Sequence, residues 1–346
     1  MKQFKVCMMF VTASIVFGIS VASAAPGVVT LKVAHFLPPS SNLQKFIILP
    51  WCEKISKESG GNLKCQIYPS MQLGGTPSQL FDQARDGVAD IVWALPTFQA
   101  GRFTKSEVFE LPFLVRSSKS GSPALWDYIQ KNSLDEYNGV KLLFTHLNDG
   151  NQLHLGSKQV KSLEDLKGLK IRGATRLSTK ALAALGAIPV QMPVPAVPES
   201  ISKGVVDGAA TTWEVSTALK LQEICKTHTE TPPNRPKQSF AFFVLAMNSA
   251  KYNSLPPNLK KVIDQNSGLE VSKWAGKEYD SFTEPARKIA VDRHNPINIL
   301  SDAEYRRWVK ATESVDDGWI KEVNAKGAHG KALLEDAKAL LKKYND

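Results

Sequence analysis

The chain has 346 residues, with 43 Lys and Arg against 33 Asp and Glu, a net charge of +10, 22 Gly and 20 Pro. This mix excludes a fibrous repeat and a disordered tail, and the length fits about two domains. The basic residues are scattered singly rather than in runs, so they describe a basic surface with mild attraction for anions, not a nucleic-acid footprint.

Lys2 and Lys5 precede a mostly apolar run, Val6 to Val21, and Ala22-Ser23-Ala24 follows it. This is the layout of a secretory signal peptide, with cleavage expected after Ala24. The run falls short of the roughly 20 apolar residues of a spanning helix and is interrupted by Thr12, Ser14, Gly18 and Ser20. The mature chain is expected to be exported and soluble, with no membrane insertion of its own. Export removes Cys7 and leaves Cys52, Cys65 and Cys225. An oxidising compartment permits a disulfide. Cys52 falls on a predicted helix and Cys65 on the strand after it, so a Cys52–Cys65 bridge and free thiols are both open at this level. Cys225 is expected to be buried. No CxxC or Cys/His spacing of a metal site is present, and nothing calls for a cofactor.

Thr30 to Phe36 reads as a strand. A long helix follows, about Leu43 to Ser59, with Pro50 expected to bend it and Gly60-Gly61 to stop it. Leu63 to Tyr68 is the second strand. Thr76 caps a helix that has Pro77 at its first position and ends at Gly87. Ala89 to Leu95 is nearly all apolar, as in a sheet covered on both faces. A helix near Pro123 to Lys131 leads to the strand Val140 to Thr145. A second set starts near Gly150. It contains a turn at Leu163 to Lys167, a strand Leu169 to Arg172, a helix Thr179 to Leu185 closed by Gly186, and a strand Ala187 to Met192. A helix Pro198 to Lys203, a strand Val205 to Thr211 and a helix Glu214 to Cys225 complete it. The alternation predicts an α/β fold. Asp86-Gly87-Val88-Ala89-Asp90 is echoed by Lys203-Gly204-Val205-Val206-Asp207, which suggests two similar lobes. Gln238 to Asn248 is long enough to cross back to the first. Tyr305, Trp308, Thr312, Val315, Trp319 and Val323 fall at helical spacing and are expected to pack on the lobes. The expected division is 1–24 signal peptide, 25–150 first lobe with 240–278 returning to it, and 151–239 second lobe with 279–346 as C-terminal helices.

No GxSxG, HExxH, GxGxxG or GxxxxGK is present, the six histidines are dispersed, and no catalytic set is nominated. A two-lobed exported protein of this kind is most simply a receptor that closes on a ligand. An exported α/β enzyme stays open, because triads are defined by geometry. In open α/β sheets ligands bind beyond the carboxyl ends of strands. The residues there are His35, Phe36, Trp93, Phe98, Gln152, His154, Arg172, Thr211, Thr212 and Trp213. Arg172 ends Lys170-Ile171-Arg172 before Gly173, where its planar fork suits a carboxylate.

The chain resembles the extracytoplasmic solute receptors of TRAP (tripartite ATP-independent periplasmic) transporters. The resemblance rests on Glu58-Ser59-Gly60-Gly61, Ile67-Tyr68-Pro69, Gln72-Leu73-Gly74-Gly75 and Phe109-Glu110-Leu111-Pro112-Phe113. It continues through Leu163 to Arg172, Leu185-Gly186-Ala187-Ile188-Pro189-Val190, Gly204-Val205-Val206-Asp207-Gly208 and Ser254-Leu255-Pro256-Pro257. It implies a periplasmic two-lobed α/β binding protein, each lobe a sheet flanked by helices, joined by crossover strands and followed by long C-terminal helices. It also implies delivery of an organic acid to the small and large membrane subunits of an ion-driven permease, and a carboxylate clasped by Arg172. An ATP-driven importer or a sensor kinase is the alternative partner. This chain departs from the family pattern in having Ala209-Ala210-Thr211-Thr212-Trp213 after Val-Asp-Gly, so Thr211 or Thr212 replaces the usual amide and Ala210 argues against a metal-bridged ligand. Gln152 stands where many members carry a second Arg, which argues against a diacid. Trp93, Phe98 and Trp213 are expected to form an apolar wall, with His35, Gln152 and His154 supplying hydrogen bonds. The expected ligand is a monocarboxylate with a bulky, aromatic body and a 2-oxo or 2-hydroxy group.

Overall fold

A computed structural model describes residues 27–344 of the chain; the expected signal peptide lies outside them. In chain order the strands are β1 (Val29–Ala34), β2 (Leu63–Tyr68), β3 (Ile91–Ala94), β4 (Val140–Leu147), β5 (Gln152–Leu155) and β6 (Lys170–Gly173). They continue as β7 (Ile188–Gln191), β8 (Gly208–Thr211), β9 (Thr227–Glu230), β10 (Phe242–Asn248) and β11 (Ile297–Ile299). They form two sheets, ordered β2-β1-β3-β10-β4 and β11-β9-β5-β8-β6-β7, each flanked by helices. This is the two-lobed α/β architecture that the alternation predicts.

In the first sheet β1 runs parallel to β2 and β3, while β10 lies antiparallel between β3 and β4. The strand within Gln238 to Asn248 therefore returns to the first lobe. In the second sheet β6 runs parallel to β7 and β8, and β5 runs antiparallel to β8 and β9. β3 and β10 are buried along their whole length, which is why both read as apolar runs. A large core cluster centres on Val33, Ile91, Phe144 and Leu245 and extends to Leu177, Ala209 and Leu221 of the second lobe, which has a further cluster around Leu153, Ile171, Leu182 and Trp308. Among the described residues no helix is long and apolar enough to cross a membrane.

Several elements differ from expectation for identifiable reasons. The Pro50 helix does not simply bend: a π-helical stretch, Leu43–Ile48, feeds the α-helix Leu49–Glu58, in which Pro50 is the second residue. Proline lacks an N–H and crowds the carbonyl four residues back, and the wider turn before it relieves both constraints. The helix around Pro123 starts earlier, at Ser118, capped by the Ser117 side chain. Its small first turn docks on β4: Ser118 Oγ donates to the Leu147 carbonyl at 2.7 Å, and Leu147 N–H donates to Ser122 Oγ at 2.9 Å. A Cβ on Gly121 would come within 2.2 Å of Leu147 Cδ1, so only glycine permits this approach. The helix expected over Glu214 to Cys225 is two, Trp213–Ala218 and Leu221–Ile224, separated where Lys220 adopts φ +55°.

The Asp302–Ala325 helix buries the whole expected stripe, Tyr305 to Val323. Trp308 enters the second core, whereas Val315, Trp319 and Val323 join the first, where Trp319 Nε1 donates to the Thr104 carbonyl at 2.9 Å. At 1.5 Å per residue such a helix is about 36 Å long, enough to brace both lobes. The last helix, Gly330–Tyr344, packs on Ser118–Asn132, so Leu334, Ala337 and Leu341 belong to the first core. Residues 279–346 thus serve both lobes: Ile297–Ile299 pairs with β9 and Ala286, Ala290, Leu300 and Trp308 pack in the second, while Val315 to Leu341 pack in the first. A second tie is ionic. Arg176, at the start of the second-lobe helix Arg176–Ala184, donates from Nε to Glu107 Oε2 at 2.8 Å and also pairs with Glu322. The Glu107 side chain is 2% exposed and that of Arg176 15%, and burial outweighs the pairing enough to raise the carboxyl to about 7.

Cys52 and Cys65 form a disulfide, with Cα atoms 5.8 Å apart, that staples Leu49–Glu58 to β2; Cys225 is free and buried. The bridge closes a short loop, with a sequence separation of 13. Constraining the unfolded chain over such a loop contributes about 2–4 kcal/mol. The double variant Cys52→Ser/Cys65→Ser should lose that much in urea unfolding under non-reducing conditions, and an unchanged midpoint would show that the bridge adds no stability.

Candidate functional site

Arg172 lies near the carboxyl end of β6, opposite Val190 of β7 and Ala209 of β8. Gly173 lets the strand end against the next helix, since a Cβ there would meet Thr179 Cγ2 at 2.8 Å. The arginine is 2% exposed. Its Nε donates to the Met192 carbonyl at 2.9 Å and Nη1 to the Ala210 carbonyl at 3.2 Å. Neither partner carries charge, and no ion pair to Arg172 is formed among the described residues. Burial pulls its pKa down to about 9, which still leaves it protonated at neutral pH. A desolvated cation without a counter-charge is costly, and an incoming anion relieves that cost.

The guanidinium opens on a cavity of about 50 Å³ between the sheets, several times the roughly 10–15 Å³ that one water requires. The first lobe supplies an aromatic wall: Phe36, Trp93, Phe98, Phe243 and Tyr279. Trp93 stacks on Phe243 with centroids 4.3 Å apart and planes within 4°, and Phe36 leans on Trp93 at 4.9 Å. Behind them Trp93 Nε1 donates to His146 Nε2 at 2.8 Å. That imidazole is kept neutral, because burial lowers its pKa to about 3, so Nε2 can accept while Nδ1 donates to the Leu147 carbonyl. The His146 ring in turn stacks on Tyr279 at 4.2 Å. The second lobe contributes Arg172, Thr211, Thr212 and Glu214, and the crossing between lobes contributes Asn148 and Asn151.

Of the residues singled out in the sequence, Arg172, Thr211, Thr212, Phe36, Trp93 and Phe98 come together here. Four do not line the cavity. His35 is buried with Nε2 3.0 Å from Gln44 Oε1, and burial lowers its pKa to about 4. Gln152 Oε1 accepts from Thr231 N–H at 3.2 Å. His154 Nδ1 is 2.8 Å from His228 Nδ1, and its ring meets the Trp213 indole edge-on at 4.6 Å. Trp213 Nε1 donates to Glu230 Oε1 at 2.7 Å, and the indole packs on Ala286 and Ala290. The shared parity of Gln152 and His154 is real, but their face of β5 serves the second lobe's interior. Asn148, Asn151, Glu214, Phe243 and Tyr279 were not foreseen. Phe243 lies on the strand already identified, and both asparagines flank the Gly150 turn between lobes. Nothing local marks Tyr279.

Three buried carboxyls in and around this region are pushed up chiefly by desolvation: Glu110 to about 8, Glu214 to about 8 and Asp149 to about 7. Glu110 Oε1 accepts from Thr97 Oγ1 at 2.6 Å, and Asp149 Oδ2 from Thr283 Oγ1 at 2.8 Å.

The family model for bacterial extracellular solute-binding protein, family 7, matches residues 33–322. Three solved structures are similar over 92% of this chain. A TRAP solute binding protein from Rhodoferax ferrireducens T118, in complex with copurified benzoate, is 44% identical, covered over 98% of its length, with a TM-score of 0.90. A marine metagenome TRAP solute binding protein specific for aromatic acid ligands, with co-crystallised 3-hydroxybenzoate, is 42% identical, covered over 100%, with a TM-score of 0.91. A TRAP periplasmic solute binding protein from Bordetella bronchiseptica, with bound (R)-mandelate and (S)-mandelate, is 28% identical, covered over 100%, with a TM-score of 0.84.

The raised carboxyls make stability depend on pH. A carboxyl whose folded pKa exceeds its unfolded value binds more protons when folded, so its stabilisation is complete below the unfolded pKa and is lost as pH rises through the folded one. The lowered histidines, His35, His146, His154 and His228, act in the opposite sense, but only below about 6.5. Unfolding free energy should therefore fall between about pH 6.5 and 8.5. Glu110→Gln should remove on the order of 2 kcal/mol of that fall. A pH-independent unfolding profile over this window would show these carboxyls to be ionised.

Proposed function

Because the chain belongs to family 7 of the bacterial extracellular solute-binding proteins and is a TRAP solute receptor, we propose that it captures a compact aromatic monocarboxylate, of the benzoate or mandelate class, and hands it to a TRAP permease. The observation that carries this reading is the buried Arg172 guanidinium, held among the described residues by two backbone carbonyls, beside a stacked aromatic wall. One cation matches one carboxylate. The wall formed by Phe36, Trp93, Phe98 and Phe243 matches a planar ring, for which offset or stacked contacts add about 0.5–1.5 kcal/mol beyond burial. Thr211 and Thr212 line the same cavity and are assigned to a 2-hydroxy or 2-oxo group, although benzoate itself needs neither. The aromatic acids held by the 44% and 42% identical receptors support the same ligand class.

In this reading the ligand-binding set is Arg172, Thr211, Thr212, Phe36, Trp93 and Phe98. His35, Gln152, His154 and Trp213 act one layer behind, holding the second lobe and the end of β1. Cleavage after Ala24 delivers the chain to the periplasm, where the small and large membrane subunits of the permease receive the loaded receptor. The family and its solved neighbours are solute-binding receptors, and the cavity is assigned capture without chemical change to the ligand.

Two measurements test this. Calorimetry should give tight binding of benzoate or mandelate and none of succinate or malate; the reverse order would overturn the proposal. Arg172→Ala truncates one partner of a buried charge pair, a loss of about 2–5 kcal/mol or roughly 30- to several-thousand-fold in affinity. A loss of tenfold or less would mean that the carboxylate is anchored elsewhere.

A further inference from the structure

Resting on the aryl-carboxylate reading, a further feature of the same cavity narrows the ligand. Two residues that line this space each carry one buried polar atom without a partner. Glu214, 3% exposed, uses its backbone N–H toward Asp149 Oδ2 at 3.4 Å and its carboxyl toward Asn42, but Oε1 makes no hydrogen bond. Tyr279, 2% exposed, projects from the first-lobe helix Leu269–Ser281, and its hydroxyl makes none. Both residues line the cavity that Arg172 opens on, one from each lobe. No ion pair joins Glu214 to Arg172 among the described residues, so Glu214 is not the arginine's counter-ion. A buried polar atom left unpaired is costly, and a native interior leaves few such atoms without a reason.

We infer that Glu214 and Tyr279 form a second polar pole of the cavity that receives a hydroxyl carried on the ligand's aromatic ring, so that the preferred cargo is a hydroxyaryl carboxylate rather than the unsubstituted acid. The chemistry of the pair suits a neutral hydroxyl. Burial and the neighbouring Asp149 hold Glu214 protonated at neutral pH, so it can both donate and accept. Burial also raises Tyr279 far above the ordinary phenol range, so it remains an O–H. A second carboxylate on the ligand would meet no cation at this pole, whereas a phenol gives one hydrogen bond and takes another. The stacked Trp93 and Phe243 planes supply the surface against which the ring carrying that hydroxyl lies.

The test is a calorimetric series on the full mature chain: benzoate, 3-hydroxybenzoate and 4-hydroxybenzoate, with mandelate against phenylacetate as a pair that differs only in a side-chain hydroxyl. The better of the two ring-hydroxylated acids should bind about 10- to 100-fold more tightly than benzoate. Tyr279→Phe and Glu214→Leu should each shrink that ratio severalfold, while Glu214→Gln, which still donates and accepts, should retain most of it. Benzoate binding as tightly as both hydroxybenzoates would overturn the inference and leave the aryl-carboxylate reading standing. So would a preference that Tyr279→Phe and Glu214→Leu leave unmoved, or one seen only in the mandelate and phenylacetate pair. Failure of every aromatic acid to bind would overturn the reading itself and this inference with it.

Discussion

The structure turns on one guanidinium that the chain itself does not neutralise. Arg172 has been taken out of water and held by two backbone carbonyls, Met192 and Ala210. Carbonyls orient a guanidinium without cancelling its charge, so much of the desolvation cost, several kcal/mol for a buried ion, persists. A fold tolerates that expense only where something returns it. The parallel pairing of β6 with β7 and β8 fixes the carbonyls, and Gly173 allows the strand to end against its helix. The second sheet thus presents one cation to the space between lobes, and the first sheet presents the surface that faces it.

That facing surface is built in depth. Trp93 meets the cavity, His146 braces it from behind, and Tyr279 stacks on His146. The arrangement requires a neutral imidazole, because only then can Nε2 accept the indole N–H while Nδ1 serves the Leu147 carbonyl. Burial enforces that state. The rigidity of the wall therefore comes from a histidine that never reaches the ligand space, and a planar molecule meets a surface already in place.

Most of the architecture was legible because it rests on local signals. β3 and β10 are covered on both faces and read as apolar runs, and the stripe Tyr305 to Val323 matches the buried face of its helix residue for residue. The local pattern placed Arg172 at a strand end, but left a surface ion pair equally open; the family resemblance, not that pattern, pointed it at a carboxylate. The failures were long-range. The first turn of the Ser118–Asn132 helix looks like a loop of serines and glycine, and only its docking on β4 explains it. Gln152 and His154 were placed on one face correctly, but which face looks at the cavity depends on how β5 pairs with β8 and β9. Trp213 looked like a wall residue, yet the helix Thr283–Asp292, far along the chain, draws it into the second lobe. Tyr279 and Glu214 reach the site through tertiary placement alone.

The ion pair between Glu107 and Arg176 lies outside the cavity and joins the two halves that a cargo must part in order to leave. A bond across the two halves that touches no cargo adds the same increment to the closed form whichever acid is enclosed. The ring and its carboxylate decide which molecule is preferred, and a fork of arginine and glutamate outside the cavity favours the shut arrangement for all of them alike.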